Sequence, residues 1–441
     1  MDSAITVPAP PGDGPKSASV DGRFITQGYE LGFVVITSLF MLWAIANNFN
    51  DILIRQLQKA LALDRAQAGF IQFAFYLGYF CMALPAGLVA RRFGYRVGII
   101  VGLLLYAGGA LLFYPASYMG RYGPFLLALF VLASGAAFLE TSANPYIASF
   151  GDPSRASQRL NFAQAFNGLG AVIAPVLGGM FIFSGVERSH AELALMSAQD
   201  LSAYRAFEAA MVRMPYLVLA GVVMVIALAV AQVRLPSLSR RRGGDDASPK
   251  AGWLLRQPGL LPAVVAQFFY VGAQVGVWSF FVDFVKEMQP EVSERHAAYL
   301  LSFSLFLFMI GRFSGAALMQ KVEASRLLLL YAGAGVLLSL GAAAGSGVAA
   351  VVALSATSFF MSIMFPTIFA LGIARLGAAA AMGAPLIVMA IVGGAVFPPL
   401  MGFLSQVSGS LRLAMLVPAL CFAVVLLFAL TQQRITQEPE A

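Results

Sequence analysis

The chain has 441 residues, 59% of them hydrophobic and only 11% charged, with a net charge of +7 and a mean hydropathy of +0.80. A soluble core of this size has no use for so much apolar sequence, and runs of about 20 apolar residues recur along the whole length, which is the pattern of a multi-span α-helical membrane protein. The runs do not alternate apolar with polar as membrane β-barrel strands do, and a basic excess in such a chain sets topology rather than binding nucleic acid.

Residues 1–28 are rich in Pro, Gly, Ala and Ser and lack the apolar core and small-residue cleavage site of a signal peptide, so they are expected to form a disordered cytoplasmic tail. Twelve hydrophobic segments follow, over 30–57, 66–90, 96–115, 123–150, 157–184, 213–233, 260–287, 295–319, 326–344, 348–374, 379–406 and 411–431. Most Lys and Arg fall in the connections that are cytoplasmic if both termini are inside, Arg159 and Arg312 among them, and this predicts an even number of spans. The longest inner connection, 234–258, is polar and splits the segments six and six. The expected organisation is therefore an N-terminal six-helix bundle (29–233), a cytoplasmic linker (234–258), a C-terminal six-helix bundle (259–431) and a cytoplasmic tail (432–441).

Spacing within the segments adds detail. Gly98/Gly102, Gly272/Gly276 and Gly311/Gly315 are small-xxx-small pairs that let helix backbones approach. Gly393-Gly394 with Pro398-Pro399, and Pro175 with Gly178-Gly179, are places where the eleventh and fifth helices can bend. Cys81 and Cys421 both lie inside apolar runs and are expected as free thiols packed against lipid or core, not as a disulfide.

Polar residues inside these runs are the candidate functional groups. The first segment contains Asn47-Asn48-Phe49-Asn50-Asp51, and the fourth contains Glu140 with Asn144 one turn on. A charge at the bilayer centre costs roughly 2.5–3.5 kcal/mol on insertion scales, so such an acid faces the protein interior or water, not lipid. Asp51 and Glu140 are expected to line a water-filled path and to carry a proton along it. The alternatives are an Asp51–Arg55 ion pair at the outer mouth and a permanently protonated Glu140 that donates a structural hydrogen bond.

The fifth segment presents Asn161, Gln164 and Asn167 on one face, suited to the hydroxyls of a neutral sugar or, alternatively, to interhelical hydrogen bonds. The seventh has Gln267, Tyr270, Gln274 and Trp278 at three- and four-residue spacing. Gln274 and Trp278 suit a pyranose, the amide bonding hydroxyls and the indole stacking on the C–H face; interfacial anchoring is the other reading of a membrane Trp. Phe365, in the tenth segment, completes an apolar wall.

No phosphate-binding loop, His/Cys metal cluster or Gly-x-Ser-x-Gly elbow is present, so no cofactor is expected beyond a co-transported proton. An enzyme acting on lipid-linked sugar would need acidic residues in water-facing loops, and a sugar sensor would need an added signalling domain.

The runs Trp43–Leu53, Leu139–Tyr146, Arg159–Asn167, Tyr270–Gln274 with Trp278-Ser279, and Pro366–Phe369 closely resemble the bacterial L-fucose:proton symporters of the major facilitator superfamily, and the resemblance spans about residues 30–430. It implies an all-α membrane protein, twelve transmembrane helices in two pseudo-symmetric six-helix bundles, located in the bacterial inner membrane with both termini cytoplasmic and surrounded by lipid as a monomer. It implies alternating access and uptake of a small neutral sugar with a proton. The acids matching Asp51 and Glu140 carry the coupling in that family, and the amides matching Asn48, Gln164 and Asn167 lie in its sugar cavity. Keeping Glu140, where glucose/galactose carriers often have Gln, favours the fucose branch. Phe365 departs from it, because the fucose carriers tend to have Tyr there and the run Ile363–Pro366 looks more like glucose/galactose and N-acetylglucosamine carriers.

Overall fold

A computed structural model of the chain describes residues 23–61, 65–181, 190–233, 235–236, 257 and 259–437. Within its helices the side chains of some residues lie outside the description, among them Asn50, Asp51, Arg55, Pro175, Gly178 and Gly179. The predicted tail (up to residue 22) and most of the 234–258 linker also lie outside the described residues.

Every described regular element is helical. In chain order these are α1 (Glu30–Leu61), α2 (Arg65–Phe93), α3 (Tyr95–Met119), α4 (Tyr122–Ala148), α5 (Ala156–Phe181), α6 (His190–Leu195), α7 (Ala198–Ala210), α8 (Arg213–Gln232), α9 (Leu260–Ser279), α10 (Phe281–Met288), α11 (Glu294–Leu318), α12 (Ala324–Ala344), α13 (Gly347–Met361), α14 (Met364–Ile373), α15 (Ala380–Met389), α16 (Gly393–Ser408), α17 (Leu411–Ala414) and α18 (Leu416–Gln437). Eleven stretches among the described residues are long and apolar enough to cross a membrane. The fifth predicted segment corresponds to α5, whose far end includes undescribed side chains. Helices are what such sequence must form, because hydrocarbon offers no partner to backbone N–H and C=O groups.

Four predicted spans are broken, the twelfth only by a one-residue turn at Met415 between α17 and α18. The seventh divides into α9 and α10 at Phe280. The eleventh divides at a 3₁₀ turn, Ala390–Val392, immediately before the Gly393-Gly394 pair. The tenth divides at Ser362-Ile363, between α13 and α14. Pro366 explains that break, since it has no N–H to bond the Ser362 carbonyl one turn back; the Nε of Arg312 donates to that carbonyl instead, at 3.0 Å. The predicted connection over 185–212 contains two helices, α6 and α7, and α18 runs to Gln437, past the predicted end at 431.

The glycine pairs sit where helices touch. A Cβ on Gly98 or Gly102 would meet Ser142 or Phe138 of α4, one on Gly272 or Gly276 would meet Phe397 or Met401 of α16, and one on Gly311 or Gly315 would meet Ser362 or Ile363. Cys81 and Cys421 are both free, Cys81 exposed and Cys421 buried.

The side of the molecule that carries both ends of the described chain is tied together by Arg159, which is fully buried. It donates to the carbonyls of Phe24, Ile147, Ala148, Gly151 and Asp152. These include the last carbonyls of α4, which have no partner within the helix. The segment before α1 closes the same corner, with Thr26 N–H donating to the Phe150 carbonyl at 2.8 Å. Arg159 is therefore a structural clamp, correcting its assignment to charge topology alone. On the opposite side Arg412 caps α12 through the carbonyls of Ala343 and Ala344.

Among the described residues, hydrogen bonds and close contacts between the α1–α8 set and the α9–α18 set lie from the helix middles towards the side bearing the chain ends. They include Gly87 against Pro385, Gly168 against Met309, Tyr76 against Gly394, and the Phe166–Phe313 ring pair at 6.0 Å. Arg159→Met should strip these carbonyls of their donor and destabilise the protein by at least ~3 kcal/mol. The check is a thermal denaturation of the detergent-solubilised chain, and an unchanged midpoint would contradict the clamp.

Candidate functional site

Glu140 lies in α4, within an apolar run, and is 8% exposed. Its position fixes what surrounds it. The hydroxyl of Tyr79 in α2 donates to Glu140 Oε1 at 3.3 Å. Tyr79 in turn accepts from Asn47 Nδ2 at 3.2 Å, and Asn47 Oδ1 accepts from the Tyr106 hydroxyl at 3.3 Å. The hydrogens of this chain all point towards the carboxyl: Tyr106 to Asn47, Asn47 to Tyr79, Tyr79 to Glu140. Glu140 Oε2 is buried with no hydrogen-bond partner. No salt bridge to Glu140 occurs among the described residues.

Asn47 lies on α1, the helix that carries the predicted first site, one turn before position 51. The Asp51 side chain, and with it the alternative pairing to Arg55, lies outside the described residues. Asn48 is half-buried and its Nδ2 donates to the carbonyl of Ala44 on its own helix, at 2.8 Å.

One turn below Glu140, Asn144 is fully buried. Its Oδ1 accepts from Gln164 Nε2 at 3.4 Å, while its Nδ2 has no partner. Gln164 and Asn167 then lead to a residue the sequence reading placed among the cytoplasmic topology charges, Arg312. It is only 4% exposed and lies inside the protein on α11. One of its terminal nitrogens donates to the Gln164 carbonyl at 2.5 Å, to Gln164 Oε1 at 3.3 Å and to Asn167 Oδ1 at 3.1 Å. The guanidinium also stands over the Phe308 ring, 4.4 Å from its centroid, a cation–π contact. Arg312 carries the same signal in the sequence as Glu140, an ionisable side chain inside an apolar run, but it lies near the inner end of its predicted segment, where a basic residue ordinarily marks topology.

The α5 amides are thus engaged between helices in this conformation. Asn161 donates to Thr367 Oγ1 at 3.1 Å and to the Met319 sulfur, Gln164 joins Asn144 to Arg312, and Asn167 donates to the Phe40 carbonyl at 3.2 Å. Asn161, Gln164 and Asn167 all meet the α9–α18 set, Asn161 through Thr367 and Met319 and the other two through Arg312.

On the opposing set, Gln274 is half-buried. Trp278 is also half-buried, with its indole N–H donating to Ser358 Oγ at 3.1 Å. Phe365 is buried, its ring 6.5 Å from that of Tyr270. The centre of the molecule therefore brings an acid and a row of amides from the α1–α8 set against one arginine and aromatic side chains from the α9–α18 set. Such a centre can exchange a proton at the acid and hydrogen-bond a small polyhydroxylated molecule at the amides.

Fold and site together define a helical membrane protein with a polar, ionisable interior at mid-span. The chain belongs to the Major Facilitator Superfamily, whose family model matches residues 31–384. It is 42% identical to the L-fucose-proton symporter of Escherichia coli (strain K12) over 409 residues, 92% of this chain and 93% of that protein. It is 37% identical to the glucose/galactose transporter of Brucella abortus biovar 1 (strain 9-941) over 408 residues, 92% of this chain and 94% of that protein. Among solved structures it is similar to that of a Major Facilitator Superfamily transporter, FucP, in the outward conformation, with a TM-score of 0.86 and 41% identity, covering 93% of this chain and all of that one.

Arg312→Lys keeps the charge but not the planar fork. It is expected to cost about 1.5–3 kcal/mol of stability through the bonds lost to Gln164, Asn167 and Ser362. The measurement is the thermal midpoint of the purified variant beside Asn167→Ala, which removes one of those acceptors and should cost less.

Proposed function

We propose that the chain is a proton-coupled symporter that imports a neutral monosaccharide, L-fucose, across the bacterial inner membrane by alternating access. The observation that carries this reading is Glu140: a buried carboxyl in a membrane span, without a salt bridge among the described residues, one oxygen bonded by Tyr79 and the other free. Oε2 is the atom on which a proton is taken up, since Oε1 already accepts a hydrogen. Asp51 is the outer acid of the pair, and the Asn47–Tyr79 bridge links its helix to Glu140. The identity to a protein named for L-fucose and proton symport supports the substrate and the coupling.

The mechanism follows from the cost of a buried charge. A carboxylate held in a dry interior carries several kcal/mol of desolvation, which protonation removes. Neutral Glu140 lets the two six-helix bundles, 29–233 and 259–431, close over the bound sugar, and rewetting of Glu140 on the cytoplasmic side releases the proton. With the termini cytoplasmic, the contacts between the sets lie in the inner halves of the helices, which corresponds to an outward-facing state. Asn48, Asn144, Gln164, Asn167 and Gln274 bond sugar hydroxyls, and Trp278 and Phe365 supply the apolar side. Gln164 and Asn167 give up their bonds to Arg312 as sugar takes their place, so substrate and Arg312 compete for the same acceptors. No cofactor takes part, and the working unit is a monomer in lipid.

A second reading, a glucose/galactose carrier, is favoured by the Ile363-Met364-Phe365-Pro366 run and by the 37% identity to a protein of that name. Sugar-dependent alkalinisation of the medium by cells expressing the chain separates the two, tested over L-fucose, D-glucose, D-galactose and N-acetylglucosamine. Glu140→Gln should abolish accumulation of L-fucose against its gradient while leaving counterflow exchange measurable in vesicles. Asp51→Asn should likewise lose proton-driven uptake. Accumulation at the unmodified level in both variants would defeat the coupling scheme.

A further inference from the structure

Trp278 is held by a hydrogen-bonded chain whose direction can be deduced. The indole N–H can only donate, so Ser358 Oγ accepts it, at 3.1 Å. Ser358 Oγ lies 2.6 Å from Ser304 Oγ, and Ser304 Oγ lies 3.4 Å from the carbonyl of Ser355, which can only accept. The hydroxyl of Ser304 therefore points to Ser355, and that of Ser358 points to Ser304. The chain runs from Trp278 on α9 through Ser358 on α13 to Ser304 on α11, and ends on the backbone of α13. Both serines are fully buried, so their hydroxyls have no water to turn to.

The ring is fixed from a second side. Phe308 meets Trp278 edge to face, with centroids 4.9 Å apart and planes at 82°. Ser304, Phe308 and Arg312 recur every fourth residue on α11 and so share one face. Ser304 reaches the indole edge through Ser358, Phe308 abuts the ring, and Arg312 stands over Phe308 while bonding Gln164 and Asn167 of the other helix set.

We propose that Ser358 and Ser304 are positioning residues that fix the plane of Trp278, so that it offers a sugar its ring face and not its N–H. The proposal deepens the symporter reading and rests on it for the identity of the ligand. With its only polar hydrogen committed to Ser358, Trp278 cannot donate to a sugar hydroxyl. It recognises the apolar C–H side of the substrate, and hydroxyl recognition falls to the amides, those of the opposing set and Gln274 one turn back on α9. A ring held by two hydroxyls and one aromatic neighbour also loses little rotamer freedom when substrate arrives, which favours affinity.

The test uses the full chain in proteoliposomes with L-fucose as the probe. In Ser358→Ala, KM for L-fucose should rise about threefold to tenfold, the worth of one such hydrogen bond, with the maximal rate largely kept. Without sugar, the Trp278 emission, obtained as the difference from Trp278→Phe, should shift to the red and become more open to quenching by iodide. Ser358→Thr, which keeps the hydroxyl, should restore both. In a Trp278→Phe background, Ser358→Ala should add no further change in KM. The proposal is overturned by unchanged emission in Ser358→Ala, or by an equal rise in KM whether or not Trp278 is present. If the unmodified chain transports none of the four sugars named above, the symporter reading fails instead, and the sugar-free emission alone decides the positioning role.

Discussion

A charged or titratable side chain removed from water has to be answered by polar groups, and the interior of this protein is arranged around two of them. Glu140 and Arg312 sit on different helix sets, α4 and α11, and both are buried. Between them run Asn144, Gln164 and Asn167, amides that both donate and accept and so can face an acid on one side and a guanidinium on the other. The close helix approach that brings these groups together depends on glycine at Gly98, Gly102 and Gly311, where a Cβ would strike the neighbouring helix.

The same requirement explains features that look unrelated. Pro366 leaves the Ser362 carbonyl without its helical donor, and Arg312 fills the gap while bonding α5. The end of α4 leaves carbonyls open, and Arg159 fills them from within the protein. In each case a long cation supplies hydrogen bonds that the backbone lost, and in each case it also ties together segments far apart in sequence. The consequence is a division of labour among the arginines. Arg159 locks helices of one set to each other, whereas Arg312 bonds across the two sets through side chains that can exchange partners. Rigid helix groups joined by a few replaceable polar contacts are what alternating exposure of a central site requires.

The centre is also chemically two-sided. The α1–α8 set contributes the carboxyl, the hydroxyls of Tyr79 and Tyr106 and most of the amides, and the α9–α18 set contributes Trp278, Phe308 and Phe365 together with Gln274 and Arg312. Most of the hydrogen-bonding groups and the aromatic rings therefore lie on different helix sets, so a change in how the sets meet changes their spacing.

The apolar spans, the isolated acid Glu140 and the row of amides on α5 could be read from residue order alone, because hydropathy and helical spacing are local properties. The breaks at Phe280 and Ser362 were less legible, since a continuous apolar run looks the same whether or not the helix pauses within it. Arg312 and Arg159 were assigned by their nearness to predicted segment ends, where a basic residue has an ordinary topological meaning, and nothing local distinguishes a buried arginine from a solvated one. Which group answers which was decided only by tertiary packing: Tyr79 and Glu140 are 61 residues apart, and Arg312 and Gln164 are 148 apart. Linear order determined what this protein could not expose to lipid. The folded arrangement determined with what each of those groups is paired, because a hydrogen bond depends on distances of a few ångströms that no sequence interval specifies.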